Sequence, residues 1–594
     1  MGAQSAARRA VSFSFGRQKH DARMSYRRHA ATLRMTTVGA VVLAVSFILA
    51  VISQPIRFVD DAWISFRYAD NLAFRGELTF NQGERVEGVS NLLWTLILAA
   101  ERRLLPAPIE SLAAATALAL TALWLYRLWK LGRELGVGPV LAAAAAAMVI
   151  LTPSVRETML NGLEGPLFAL LLAEASLRLL RGQIVSAAVC LGLLFLTRVE
   201  GGVIGAAALL LLLRPSVRLQ DGLALSVHLF DLKSPERRAE VGRAFAVFLG
   251  LVVAATAFRV AYYRDLLPNS VQAKLYPYSD NLVRTGWQYA LDFLRANPHL
   301  LVPPLMATAA LFLRKSAAGR GAEDPTVPPN EPWGLVLRFN LIALIFSFIV
   351  AIRSGGDWMG GFRFLSIYAG TYAALLLLAL SVLLGTDASP QFTMGPAGQR
   401  PLRDAELDRA SWWGLAVCAL LLAFPLWQTV QQSVRRLAEG APVIQVARTP
   451  GFRFWDDVAA RLEEAPLQDT DVVSSEGIGY LSYVLKDVYI HDPLGLTEEH
   501  IAKQGKERSP FGKVDLRYTI REVRPTLMIW HYAGNLRGFQ AADLDGAYFT
   551  FCHGDCKSWS ADVVMIRRDR ADDLAPYFRD WTPLTFEALY AENS

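Results

Sequence analysis

The chain has 594 residues, of which 53% are hydrophobic and only 19% charged, and its mean hydropathy is +0.28. Apolar runs of near-spanning length at that composition exclude an ordinary soluble class. The formal net charge of +6 sits largely in short basic loops, so it speaks for membrane orientation and not for nucleic acid.

In chain order, Arg8, Arg9, Arg17, Lys19, Arg23, Arg27, Arg28 and Arg34 surround the approach to the first apolar run and predict a basic cytoplasmic tail over 1–35. The apolar core behind them is too long for a cleaved signal peptide. Runs near 37–55, 110–130, 139–153, 163–180, 184–198, 200–214, 243–262, 298–314, 335–352, 364–385 and 412–430 predict about eleven helical spans, a polytopic α-helical membrane protein. This count keeps Arg127, Lys130 and Arg133, and Arg178 with Arg181, on the cytoplasmic side. The run 91–105 reads as juxtamembrane or re-entrant, because a further crossing would put those clusters outside. The loops 56–109, 154–162, 198–201, 263–297 and 353–363 then share the outer face with the polar tail.

That tail, 431–594, has the composition of a soluble domain. FRFWDDVAARLEEA predicts an amphipathic helix, and DVVSS, DVYIHD, TLMIW and DVVMIRR predict short buried strands, giving an extracytoplasmic α/β domain. Cys552 and Cys556, in CHGDC, fit a disulfide in an oxidising compartment, while His553 supplies too few ligands for zinc. Cys190 and Cys418 lie in apolar runs as packing residues.

Five outer segments carry possible chemistry. Asp60 and Asp61 stand where the first span ends, and carboxylates at such a boundary are costly unless used. Ile64, Tyr68 and Leu72 follow at helical spacing, predicting an amphipathic helix in the membrane interface; the charges of NQGERVEG read mostly as solvated. LNGLEGPLF places Glu164 at the outer end of a span, and LTRVEGG sets Arg198 and Glu200 between two apolar runs, where a buried brace is the simpler reading. In YYRDLLPNSVQAKLYPYSDN, Arg264 and Lys274 fit an anionic group. Tyr262, Tyr263, Tyr276 and Tyr278 offer a sugar or headgroup platform there, although interfacial tyrosines are often only a belt. RSGGDWMGGFRF packs Asp357, Trp358 and Arg363 among four glycines, a loop whose backbone can approach a ligand closely. Acids, cations and aromatics converging on one face suit sugar transfer from a lipid phosphate. A carboxylate deprotonates the acceptor hydroxyl and cations stabilise the departing phosphate.

In this order, DDAWISFRYADNL…FNQGERVEGVSN, NGLEGPLF, LTRVEGG, YYRDLLPNS…AK, GGDWMGGFRFL and GIGYLSY…HDPLGLTEEHIA resemble the GT-C glycosyltransferases related to the mycobacterial terminal β-1,2-arabinofuranosyltransferase. The resemblance runs over nearly the whole chain. It implies a GT-C transmembrane catalytic domain over 36–430 in a bacterial cytoplasmic membrane. It implies an inverting enzyme with a polyprenyl-phosphate sugar donor such as decaprenyl-phosphoryl arabinose, and a cell-envelope glycan acceptor. It implies Asp60 or Asp61 as base, with Asp60 slightly favoured as nearer the membrane. Lys274, Arg363 and Arg198 become phosphate contacts, and Glu164, Asp357, Trp358, Tyr262, Tyr263 and Asn269 fall to the sugar or acceptor pocket. The tail becomes a carbohydrate-binding-like module, and the metal requirement stays open. Arg264 stands where glycine is expected, and Gly165 and Gly361 where larger residues are common. The competing readings are a mannosyl- or other hexosyltransferase of the same architecture, a lipid or sugar transporter, and a non-catalytic envelope protein.

Overall fold

The computed structural model describes residues 32–213, 216–220, 224–228, 235–275, 280–318, 332–357, 359–385, 404–447, 453–505, 507–508, 513–537 and 539–593. Most of the basic tail 1–35, together with Tyr276, Tyr278 and Trp358, lies outside them.

Each of the eleven predicted spans coincides with a helix or a bent helical pair. Length and apolarity qualify five as membrane-crossing: Thr32–Ile52, Ile109–Glu134, Pro235–Tyr263, Pro332–Ser354 and Trp412–Ala438. Two bent pairs raise the number to seven. Pro139–Ile150 meets Pro153–Met159 at 78°, and Gly360–Ser366 meets Ala369–Leu383 at 54°. The first break has a plain cause, because Pro153 cannot continue the ladder behind it. Gly165–Leu180, Ile184–Thr197 and Glu200–Leu213 are shorter than a full crossing.

The run 91–105 forms a 13-residue helix, Leu92–Leu104, about 20 Å long at 1.5 Å per residue and so too short to cross. It packs against Asp60–Arg75, the helix that follows the first span.

Beyond the helical half, residues 453–593 fold on a mixed six-stranded sheet ordered Thr582–Leu584, Tyr548–His553, Asp562–Arg567, Leu527–Trp530, Val472–Ser475, Tyr489–His491. Val472–Ser475 runs parallel to both its neighbours, and the remaining pairs are antiparallel. The four runs read as strands are strands; Tyr548–His553 and Thr582–Leu584 are additional. Arg453–Glu464 is the expected amphipathic helix, burying Phe454, Trp455, Val458, Ala459 and Leu462. Cys552 is bonded to Cys556, whereas Cys190 and Cys418 are free.

The tail does not stand apart from the helical half. One continuous apolar core joins Ile64, Tyr68, Leu78, Phe80 and Leu92 to Val458, Ile478, Leu481, Ile490 and Leu527. The apolar stripe of Asp60–Arg75, expected to lie on lipid, is therefore covered by the tail: Ile64 and Tyr68 are buried and Leu72 packs against the same core. Period alone could not distinguish these fates, since a 3.6-residue stripe names a buried face and not what buries it. Arg67 seals the contact. Its buried guanidinium donates to the carbonyls of Phe80 (2.7 Å), Ser482, Leu485 (3.3 Å) and Val488 (3.2 Å) and to Asn81 Oδ1 (3.3 Å).

Candidate active site

Asp60 and Asp61 open one helix, and successive residues on a helix turn by about 100°, so the two carboxylates part company. Asp60 turns to the tail. Its Oδ2 and Oδ1 accept the backbone N–H groups of Gly479 and Tyr480, both at 2.9 Å. These are orphan donors at the start of the tail helix Ile478–Val484, and a carboxylate from elsewhere in the chain caps them. Only glycine allows the approach, because a Cβ on residue 479 would stand 1.8 Å from the Asp60 carbonyl oxygen. Asp60 is thus a tether between the two halves and does not line the cleft described next, contrary to the preference drawn from its nearness to the membrane.

Asp61 does line it. A cleft of about 510 Å³, mouth included, is walled by Asp61, Glu164, Arg198, Lys274 and Arg363, with Ser65, Asn91, Ser270 and Phe364 between them. Asp61, Arg198, Lys274 and Arg363 come from four different loops expected on the outer face, and Glu164 from the outer end of the span that begins beside a fifth. Arg363 Nη1 donates to Asp61 Oδ2 at 2.9 Å, while its Nε donates to Asp357. One guanidinium shared by two carboxylates orients Asp61 without wholly neutralising it. Among the described residues, Asp61 Oδ1 accepts no hydrogen bond, which leaves that oxygen for a proton.

The backbone explains how Arg363 gets there. Gly361 (φ 78°) and Phe362 (φ 48°) take left-handed conformations in succession. The Gly361 carbonyl is held by Ser366 Oγ at 2.7 Å and Thr158 Oγ1 at 3.2 Å. Gly361 therefore departs from the larger residue for a conformational reason. Gly165 departs for a steric one, since a Cβ there would be 2.8 Å from the Thr158 carbonyl oxygen. Arg264, where glycine was expected, has φ 61° and occupies glycine's conformation with a side chain attached.

Arg198 is the brace foreseen. It closes helix Ile184–Thr197 and pairs with Glu164 Oε1 at 2.6 Å and Glu200 Oε1 at 2.8 Å. Glu164 is held on its other side by Asn91 Nδ2 at 2.8 Å. Lys274 differs from both arginines: among the described residues it forms no direct ion pair. The cleft walls desolvate its ammonium and lower its pKa, Asp61 and Asp357 opposing and Arg363 and Arg198 adding to the fall. An ammonium in that position gains from any anion that enters. Replacing Lys274 by alanine should weaken donor binding about 10- to 100-fold, the worth of one charge-assisted hydrogen bond. Titration with a polyprenyl-phosphate analogue measures it, and an unchanged Kd removes Lys274 from the site.

Three expected pocket residues are elsewhere. The Tyr263 hydroxyl donates to the Leu78 carbonyl at 2.7 Å, and the Tyr262 hydroxyl accepts from Leu78 N at 3.1 Å, with Arg85 over its ring. Both tyrosines brace the first loop. Asn269 Nδ2 lies 2.9–3.1 Å from the carbonyls of Gly495, Leu496 and Glu498, gripping the tail. Charges read as solvated are also structural, since Glu87 is buried against Arg259.

Sequence reasoning missed the tail's share of the cleft. Leu496 forms part of its wall. The Asp492 carboxylate folds that loop by accepting Leu494 N at 2.9 Å and Thr497 N at 2.7 Å. The signal was present as HDPLGLTEEH, where Asp before Pro-Leu-Gly marks a side-chain-closed turn.

Two buried carboxyls, Asp60 at the tail contact and Glu476 within the tail, are shifted upward. Burial lifts Asp60 to about 6 against its two N–H donors. Burial likewise lifts Glu476 to about 7, although it accepts from His531 N and Asn535. A folded pKa above the unfolded one means that stability is complete below the ordinary carboxylate value and falls as pH rises through the folded pKa. The thermal midpoint should therefore carry a downward slope from about pH 4 to 7 that flattens in Asp60→Asn and Glu476→Gln. Equal slopes in variants and parent would contradict it.

No family model matches the sequence. The solved oligosaccharyltransferase of Archaeoglobus fulgidus overlays with a TM-score of 0.47 at 14% identity, covering 86% of this chain and 72% of that one, too loose to define a shared fold. A Corynebacterium glutamicum protein named terminal β-(1→2)-arabinofuranosyltransferase is 25% identical over 520 residues, 83% of this chain and 66% of that protein. A Mycobacterium tuberculosis protein of the same name is 29% identical over 330 residues, 51% of this chain and 49% of that protein. The chain thus spans just under two thirds of one relative and about half of the other. The motif order and these two relatives agree: the chain is similar to terminal β-(1→2)-arabinofuranosyltransferases.

Proposed function

We propose that the chain is a membrane glycosyltransferase of GT-C architecture with about eleven spans, its cleft and tail facing outward from a bacterial cytoplasmic membrane. The donor is a polyprenyl-phosphate sugar, decaprenyl-phosphoryl arabinose in the first instance, and the acceptor is a cell-envelope glycan. The observation that carries this reading is the cleft itself, where Asp61 faces Lys274, Arg198 and Arg363.

The acceptor hydroxyl attacks the anomeric carbon from the face opposite the phosphate. The new C–O bond forms as the bond to the phosphate oxygen breaks, which inverts the centre. Asp61 takes the hydroxyl proton as the oxygen loses basicity. Negative charge grows on the departing polyprenyl phosphate, where Lys274 and the two arginines meet it. Glu164 and Asp357 hold those arginines in place, and Glu164 bounds the sugar. The tail, from about 431 to 594, guides the glycan and completes the wall through Leu496.

Purified chain supplied with decaprenyl-phosphoryl arabinose and an arabinan oligosaccharide should give an extended product of inverted anomeric configuration. Transfer from polyprenyl-phosphoryl mannose instead would assign a hexosyltransferase, and transfer from neither donor would overturn the reading.

A further inference from the structure

The helix Asp60–Arg75 has clefts on two sides. Asp61, Ile64 and Ser65 line the one described above. Arg67, Asp70, Asn71, Phe74 and Arg75, about 110° round the helix at 100° per residue, face a second cleft of about 430 Å³, completed by Arg102, Tyr483 and Lys486. No role has been assigned to it.

Its charge is unbalanced. Four cations line it against one carboxylate, Asp70. Asp70 is already shared, accepting from Arg102 Nε at 2.9 Å, the Tyr483 hydroxyl at 3.1 Å and Lys486 Nζ at 3.4 Å. Among the described residues, Arg67 bonds to carbonyl oxygens and an amide and forms no direct ion pair. Arg75 pairs outside the cleft with exposed Asp487. Counting Asp487, four positive groups face two negative ones, and an anion in the cleft would reduce the excess.

Chain continuity fixes its depth. Arg102 Nη1 donates to the Ala107 carbonyl at 2.8 Å, two residues before the 26-residue span that begins at Ile109. Two residues extend at most about 7 Å, so Arg102 stands at the boundary of the hydrocarbon, in the headgroup layer. At the rim of the cleft Phe74 is 59% exposed, and Leu104 and Leu105, at the end of the helix that carries Arg102, are 78% and 49% exposed. Arg102 lies over the Phe74 ring at 4.9 Å. A cationic floor beneath an exposed apolar rim at the membrane boundary matches one chemistry, a phosphate attached to acyl chains.

We propose that this second cleft holds the phosphate of an anionic phospholipid from the leaflet on the tail side, with Lys486 and Arg102 on the headgroup and exposed Phe74 against the chains. Free inorganic phosphate shares the headgroup chemistry but not the rim. The site also joins the first loop to the tail, because Lys486 and Tyr483 belong to the tail segment while Asp70 and Arg102 do not. A lipid bound there therefore tightens the same contact that Asp60 tethers.

The test uses full-length chain in detergent, with phosphatidylglycerol, phosphatidylcholine or inorganic phosphate added at equal concentration, read by native mass spectrometry and thermal shift. Phosphatidylglycerol should be retained and raise the thermal midpoint; phosphatidylcholine should do neither. Lys486→Gln, at a side chain 46% exposed and so tolerant of replacement, should lower phosphatidylglycerol occupancy at least about fivefold. Lys486→Arg should restore it. Equal retention of the two lipids, or unchanged occupancy in Lys486→Gln, would overturn the proposal. An equal thermal shift from inorganic phosphate would assign the cleft to the free anion and overturn the lipid.

Discussion

Asp61→Asn should lower kcat by about 10²- to 10⁴-fold, the usual worth of a general base, while donor affinity stays within a few-fold. The substitution preserves shape and still accepts from Arg363, so loss of rate without loss of binding isolates proton transfer. Asp60→Asn should behave otherwise. One amide oxygen still accepts from the Gly479–Tyr480 pair, so kcat should remain near that of the parent and thermal stability should change instead. Single-turnover rates and donor titrations on both variants separate the cases. Parental turnover in Asp61→Asn would remove the proposed base.

The second large effect is expected at Gly479, which touches no substrate in the proposed site. Its Cβ would overlap the Asp60 backbone, so Gly479→Ala must push the tail helix away or break both caps. Overpacking and two lost N–H acceptors together cost about 3 kcal/mol or more. The tail contact loosens, Leu496 leaves the cleft wall, and kcat/KM should fall at least about tenfold. Gly546→Ala is the control. A Cβ there meets nothing within 4 Å, so both stability and activity should stay as they are. Thermal unfolding and limited proteolysis read the contact, and kcat/KM reads the consequence. If Gly479→Ala matched Gly546→Ala, the tether would have no weight.

What the sequence disclosed was residue chemistry at loop level. Asp61, Glu164, Arg198, Lys274 and Arg363 are scattered over some three hundred positions, yet orientation rules put their loops on one face and the structure brings them to one cleft. What it withheld was direction within a loop. Asp60 and Asp61 are identical neighbours, and which one meets the cleft depends on what docks against the helix. Tyr262, Tyr263 and Asn269 were sound interface chemistry at the right height, but their partners lie 184 to 229 positions away, and nothing local announces such contacts. Span lengths were underdetermined for a related reason. Short apolar helices such as Ile184–Thr197 are buried by neighbours as much as by lipid, so hydropathy does not measure how far they reach.

The Asp60 tether also sets an order of assembly. Its partners are made 419 and 420 residues later; at about 5–20 residues per second, a ribosome reaches them roughly 20 to 80 s after Asp60 emerges. Throughout that interval the newborn helix carries Asp60 without its donors and Arg67 without the tail carbonyls it binds. The tail contact therefore closes late, and a message cut short before codon 479 yields a chain in which Asp60 has neither of its partners.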